Sequence, residues 1–197
     1  MNNCKKTLTF YYFFIFLLIT FLLLRMYELD LRTINLKNII KHNEIATYNT
    51  HVHIKLFNLL ELETYTNNIS ILEIGAGNGL STERFMNYLN NKKLKYNYTI
   101  CEFDNNYEYI LNKKFANRTI YIDKWQNLVS KGKQYEIILM TSFSTVNLKN
   151  CSKLKELCNK NTIILTLSHY TINAKYRFKI LKNIRVGLLK LYVLKPF

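Results

Sequence analysis

Glycine and proline are scarce in this chain of 197 residues, with five and one respectively, and acids are outnumbered by bases, 13 to 28. A chain under 200 residues has no room for two large domains. So little glycine and proline excludes collagen-like and Pro/Gly-rich disordered classes, and 49% hydrophobic residues supply a real core. The four cysteines, Cys4, Cys101, Cys151 and Cys158, are too few and too scattered for a disulfide scaffold. None falls in a Cys-x-x-Cys or Cys/His grouping with zinc spacing, so no metal site is expected.

What abounds is Lys, Asn, Ile, Tyr and Phe, the skew that AT-rich codons produce without selection on the protein. Part of the net charge of +15 is therefore compositional. It still favours anionic partners, nucleic acid or an acidic membrane surface among them. Lys and Tyr are spread along the whole chain, so no basic-aromatic patch can be placed.

Residues 1–6 form a short flank carrying Lys5 and Lys6. Residues 7–24 (TLTFYYFFIFLLITFLLL) are uncharged, and Arg25 closes the run. At 1.5 Å per residue this run reaches about 27 Å, close to a hydrocarbon core of about 30 Å. Roughly a dozen Leu, Ile and Phe favour insertion by about 4–7 kcal/mol. A signal peptide would end in small residues, whereas this run exits through Leu-Leu-Leu-Arg-Met-Tyr. A buried helix would carry a polar face, which is missing. The reading is a single-pass membrane anchor. Arg25, Arg32, Lys37 and Lys41 outweigh Lys5 and Lys6, which places the C-terminal domain in the cytoplasm. Sequons begin at Asn68, Asn97, Asn117 and Asn150 and carry little weight in so Asn-rich a chain.

Residues 25–45 read as a helical stalk, and 46–197 as the folded domain. A helix is expected over 51–66. From Ser70 short apolar runs alternate with amphipathic stretches. Strands are predicted at 70–75, 98–103, 119–122, 135–140 and 162–167, with helices at 80–91, 105–115, 124–131 and 147–160. Apolar runs of that length read as buried parallel strands, and the alternation implies helices on both faces of one sheet. Arg177–Leu181 and Leu188–Leu194 have no helix-length segment between them and should pair as an antiparallel hairpin.

Three of the five glycines, Gly75, Gly77 and Gly79, lie in one window between a strand and a helix. That is the edge at which open α/β sheets bind ligands. The dinucleotide spacing Gly-x-Gly-x-x-Gly would need a small residue where Leu80 stands, and the phosphate loop Gly-x4-Gly-Lys-Ser/Thr is absent.

The stretch Glu73-Ile74-Gly75-Ala76-Gly77-Asn78-Gly79 resembles motif I of the class I S-adenosylmethionine-dependent methyltransferases. The resemblance spans about residues 45–197. It implies a Rossmann-like, doubly wound, mostly parallel sheet ending in an antiparallel hairpin. It implies S-adenosyl-L-methionine as cofactor, bound by Glu73, Gly75, Ala76, Gly77 and Gly79. Glu102, at the end of the second strand, would take both ribose hydroxyls, a task suited to a carboxylate. Asp123, after the third strand, would contact the adenine edge, although it suits capping the helix at 124–131 equally well. Trp125 reads as core or as an adenine platform.

After the fourth strand, amino-methylating members carry Asn/Asp-Pro-Pro-Tyr/Phe. This chain has Thr141-Ser142-Phe143-Ser144, which counts against methylation of nucleobases of that type. His169, after the fifth strand, is the candidate catalytic base, or a loop histidine with no role. His51 and His53 lie on a helix that can cover the cofactor in this family. Cys101 reads as a buried strand residue. About ten residues join the fifth strand to the hairpin, leaving a small or open acceptor site. The expected function is methyl transfer to an unidentified acceptor. The alternatives are a non-catalytic module of the same fold that binds a partner, and a membrane-tethered basic nucleic-acid-binding domain.

Overall fold

The alternating apolar runs become one seven-stranded sheet in the computed structural model, which describes residues 15–23, 50–62, 65, 68–140, 151–168, 178–186 and 189–196. In chain order the elements are α1 (residues 15–23), α2 (Thr50–Phe57), β1 (Ile69–Ile74), α3 (Leu80–Asn91), β2 (Tyr96–Glu102), α4 (Glu108–Lys114), β3 (Thr119–Ile122), a 3₁₀ helix (Trp125–Lys131), β4 (Tyr135–Met140), α5 (Cys151–Glu156), β5 (Cys158–Ser168), β6 (Phe178–Val186) and β7 (Leu189–Pro196). The strand order is β3-β2-β1-β4-β5-β7-β6. β1 to β5 pair in parallel, and β7 lies antiparallel between β5 and β6.

The central strands bury both faces, because each alternate residue meets a different layer. Ile71, Ile137, Leu139 and Leu165 join Val52, Leu56 and Phe57 of α2, Phe85 and Leu89 of α3, and Leu111 of α4 in one core. Leu72, Ile74, Ile138, Met140 and Ile164 join Trp125, Leu128 and Leu154 in the other. The fold is therefore a sheet between two helical layers, mostly parallel, with a C-terminal antiparallel hairpin.

Several boundaries depart from the sequence reading. The helix expected over 147–160 gives way to strand at Cys158. There the Thr162 hydroxyl donates to the Tyr135 carbonyl (2.5 Å) and accepts the Asn159 amide (2.7 Å), locking a bulge into the start of β5. The helix expected over 51–66 ends at Phe57, where the chain tightens through i→i+3 bonds, Leu60 N–H to the Phe57 carbonyl at 3.0 Å among them. The segment 105–115 starts as a 3₁₀ turn because the Asp104 carboxylate accepts the Asn106 N–H (3.0 Å). The segment 124–131 is 3₁₀ and not α. The stalk at 25–45, the segment Thr141–Ser144 and His169 lie outside the described residues.

β6 forms one open edge of the sheet. Most of it is exposed, and Lys179, Lys182 and Arg185 stand along it, the kind of charge that keeps a bare edge from pairing with another chain. Lys182 also meets Glu61 at 2.5 Å. Both partners are exposed, so this pair contributes little.

Candidate cofactor site at the ends of the first three strands

The parallel register brings three strand ends to one edge. Ile74 pairs with Cys101, and Glu102 pairs with Ile122. The ladder continues past the strands, with Gly75 N–H donating to the Cys101 carbonyl (2.8 Å) and Asp123 N–H to the Glu102 carbonyl (2.8 Å). Gly75, Glu102 and Asp123, far apart in sequence, thus line one rim.

The glycines of the loop serve different ends. All three have positive φ, at +77° for Gly75, +55° for Gly77 and +81° for Gly79, a region L-residues enter at about 1–2 kcal/mol. At Gly79 a side chain would also collide, since its Cβ would fall 2.5 Å from Phe115 Cε2 and 3.1 Å from Leu111 Cδ2. At Gly77 the space a Cβ would take is open. Gly79 is therefore fixed by packing on α4, while Gly77 keeps a gap at the rim. α3 begins immediately after Gly79 and aims its free backbone N–H groups at the loop, a setting that favours negative ligand groups.

Two buried carboxylates hold the loop. Glu102, 1% exposed, accepts Gly77 N–H on Oε2 (2.7 Å), and Phe103 N–H (2.8 Å) and Asp104 N–H (3.0 Å) on Oε1. A carboxylate offers about four acceptor positions, so about one remains for a ligand hydroxyl. Taking a second hydroxyl requires Gly77 to release its bond. Glu73 is fully buried and receives the Ser81 hydroxyl on Oε1 and the Tyr98 hydroxyl on Oε2 (2.9 Å). Burial raises its pKa above the ordinary carboxylate value, the hydroxyl donors oppose that shift, and Glu102 nearby adds to it.

Asp123 sits differently. It is exposed, and its Oδ1 accepts Lys124 N–H (2.7 Å) and Asn127 Nδ2 (2.9 Å). The Asn127 bond leads in holding its pKa low. Asp123 thus ties down the entry to the 3₁₀ helix. Ala76 and Trp125 are buried, Trp125 within the second core.

The described side chains with basic or nucleophilic chemistry are poorly placed for proton transfer. His53 is 2% exposed, stacks on Phe57 with ring centroids 5.9 Å apart, and bonds through Nδ1 to Arg84 Nη1 (2.9 Å). Burial first, and Arg84 second, push its pKa down to about 3, so the ring is neutral. Burial, with Glu102 next, pushes the Cys101 thiol up to about 12, which leaves it protonated.

Sequence reasoning missed Phe103. It directly follows Glu102 and is 68% exposed, a large ring left in solvent at the rim. An aromatic one residue beyond a strand-end acid was the available signal. Tyr98 was missed as well, because its partnership with Glu73 depends on strand register.

No protein-family profile matches the chain, and no curated protein matches its sequence. Solved structures do. The ribosomal protein L11 methylase of Lactobacillus delbrueckii subsp. bulgaricus superposes with a TM-score of 0.57 at 12% identity, covering 76% of this chain and 80% of that one. The Escherichia coli protein yhhF, a methyltransferase by assignment only, gives 0.55 at 17% identity over 74% and 84%. The CurJ carbon methyltransferase gives 0.57 at 14% identity over 74% and 53%. These likenesses define the fold as that of the class I methyltransferases.

Proposed function

We propose that the chain binds S-adenosylmethionine at the Gly75–Gly79 loop and transfers its methyl group to an acceptor. The observation that carries this reading is the pairing of the Glu102 carboxylate with Gly77 N–H at 2.7 Å beside the open space over Gly77. An acid with one acceptor position left, a gap, an exposed ring at Phe103 and a helix N-terminus suit the hydroxyls, base and carboxylate of such a nucleoside. Glu102 would hold the ribose, Gly75, Ala76 and Gly77 would pass close to the methionyl portion, and Phe103 and Asp123 would border the adenine.

The cofactor, when bound, supplies an activated methyl on a positive sulfur. The protein's work is then mostly alignment, which can provide much of the rate. The stiff rim of β1 and β2, tied by backbone bonds, suits that task. Where the acceptor must lose a proton, a base is needed, and His169 is the residue proposed for it. A binding module that keeps the fold without turnover is the second reading. It is favoured by His53 and Cys101, which burial holds neutral.

The chain is further proposed to be held at a membrane through residues 7–24, with the domain on the cytoplasmic side. Among the described residues no helix is long and apolar enough to cross a membrane. In support of the anchor, α1 is helical, and Phe16, Leu18, Phe21 and Leu23 on it are all more than half exposed, an apolar surface that requires a cover. Nucleic acid stays a candidate acceptor class from the net charge of +15.

Thermal unfolding of the full-length chain with S-adenosylhomocysteine, and separately with NAD, tests the cofactor assignment. Ligand at about 100 times its dissociation constant adds about 2.7 kcal/mol, a rise of roughly 5–10 °C for a chain this size. The homocysteine ligand should give that rise and NAD should not. A rise with NAD alone would overturn the assignment.

A further inference from the structure

We infer that Ser81 and Tyr98, acting through the buried Glu73 carboxylate, are positioning residues for the cofactor loop. The inference rests on the cofactor reading above and adds a second layer beneath it. A loop with three glycines at positive φ has much conformational freedom to lose, so its geometry must be imposed from outside. On one side it leaves β1, which is paired at Glu73 with Ile100 of β2 and with Leu139 of β4. On the other side it enters α3, where Gly79 offers no side-chain cap.

The Ser81 hydroxyl crosses that gap. It donates to Glu73 Oε1 from the first turn of α3 and closes the base of the loop. The Tyr98 hydroxyl donates to Oε2 from β2 at 2.9 Å. A carboxylate bonded on one oxygen can still rotate, whereas bonds on both oxygens fix its plane. Glu73 is fully buried, Ser81 is 7% exposed and Tyr98 is 3% exposed. Water cannot readily replace either hydroxyl, and an oxygen left without its donor would be costly. Among the described residues no lysine or arginine ion-pairs with Glu73, so the two hydroxyls carry the task. Glu73 has no oxygen facing the gap over Gly77. Its influence on a ligand passes through the positions of Gly77 and of Glu102, which clamps the loop from above.

The test is the dissociation constant of S-adenosylhomocysteine, measured by titration calorimetry on the full-length protein and on Ser81→Ala, Ser81→Thr and Tyr98→Phe, each beside its melting temperature. Ser81→Ala and Tyr98→Phe should raise the constant roughly tenfold, the scale of one hydrogen bond to a charged group. Ser81→Thr, which keeps the hydroxyl, should stay within about twofold. Tyr98→Phe removes one oxygen and keeps the ring in place, so it carries the test if Ser81→Ala does not fold. Folded Ala and Phe variants that melt lower yet bind as tightly as the parent would overturn the inference while leaving the cofactor reading standing. A parent protein that binds no ligand would overturn both.

Discussion

The rim at β1 and β2 and the rim at β3 carry acids at neighbouring strand ends, yet they are built in opposite ways. Glu73 and Glu102 are buried and tie together segments distant in sequence: β1 to α3 and β2, and the end of β2 to the glycine loop. Asp123 is exposed and bonded to its own near neighbours, Lys124 and Asn127. A buried acceptor is costly unless its partners are in place, so the first rim holds one geometry. The second is satisfied locally and can rearrange at little cost. A site that works by alignment would be expected to rely on the first.

Substitutions sharpen that contrast. The largest effect should come from Glu102→Ala, which strands the N–H groups of Gly77, Phe103 and Asp104. A loss of about 3–5 kcal/mol is expected, seen as a lower urea midpoint with an unchanged m-value. Glu102→Gln retains one acceptor oxygen and should lose less. Gly79→Ala comes next, at about 2–4 kcal/mol, because backbone strain adds to the collision with Phe115.

His53 extends the comparison to a buried group away from the rim. Its imidazole takes up a proton near pH 6.5 when unfolded but only near pH 3 in the fold. The unfolded chain therefore binds more protons between those values, and stability falls as the pH drops from 6.5 towards 3. At pH 5 the loss is about 2 kcal/mol. His53→Gln keeps an acceptor for Arg84 and should flatten that acid limb in a series of melts from pH 7 to pH 4. An unchanged limb would show that other groups set it.

Gly77→Ala should cost only about 1 kcal/mol, since its Cβ meets open space. Its effect on ligand affinity should be much larger than its effect on stability, the reverse of Gly79→Ala. Asp123→Asn should shift the melting temperature least of all. A shift as large as that of Glu102→Ala would erase the distinction between the two rims.

Much of this arrangement was legible in advance, and the reasons are physical. TIYI at 119–122 and YEIILM at 135–140 became strands with the expected bounds, because short buried β-rich runs have few other places to go. The helix Leu80–Asn91 also kept its bounds, set by Gly79 before it and by the spacing of Phe85 and Leu89. The errors cluster where side chains bond to nearby backbone. Thr162 and Asn159 pull Cys158 into a strand, and Asp104 tightens the start of the next helix. At the site, the glycines and Glu102 could be picked out because their spacing is local. The Tyr98–Glu73–Ser81 link could not, since it exists only once β1 and β2 have paired in register.

The most direct measurement is a calorimetric titration of S-adenosylmethionine into the full-length protein and into Glu102→Gln. The account predicts one site per chain in the parent, and affinity at least tenfold weaker in the variant. Equal affinity in the two proteins, or no heat in a folded parent at millimolar ligand, would contradict the claim that the clamp of Glu102 on Gly77 forms a cofactor site.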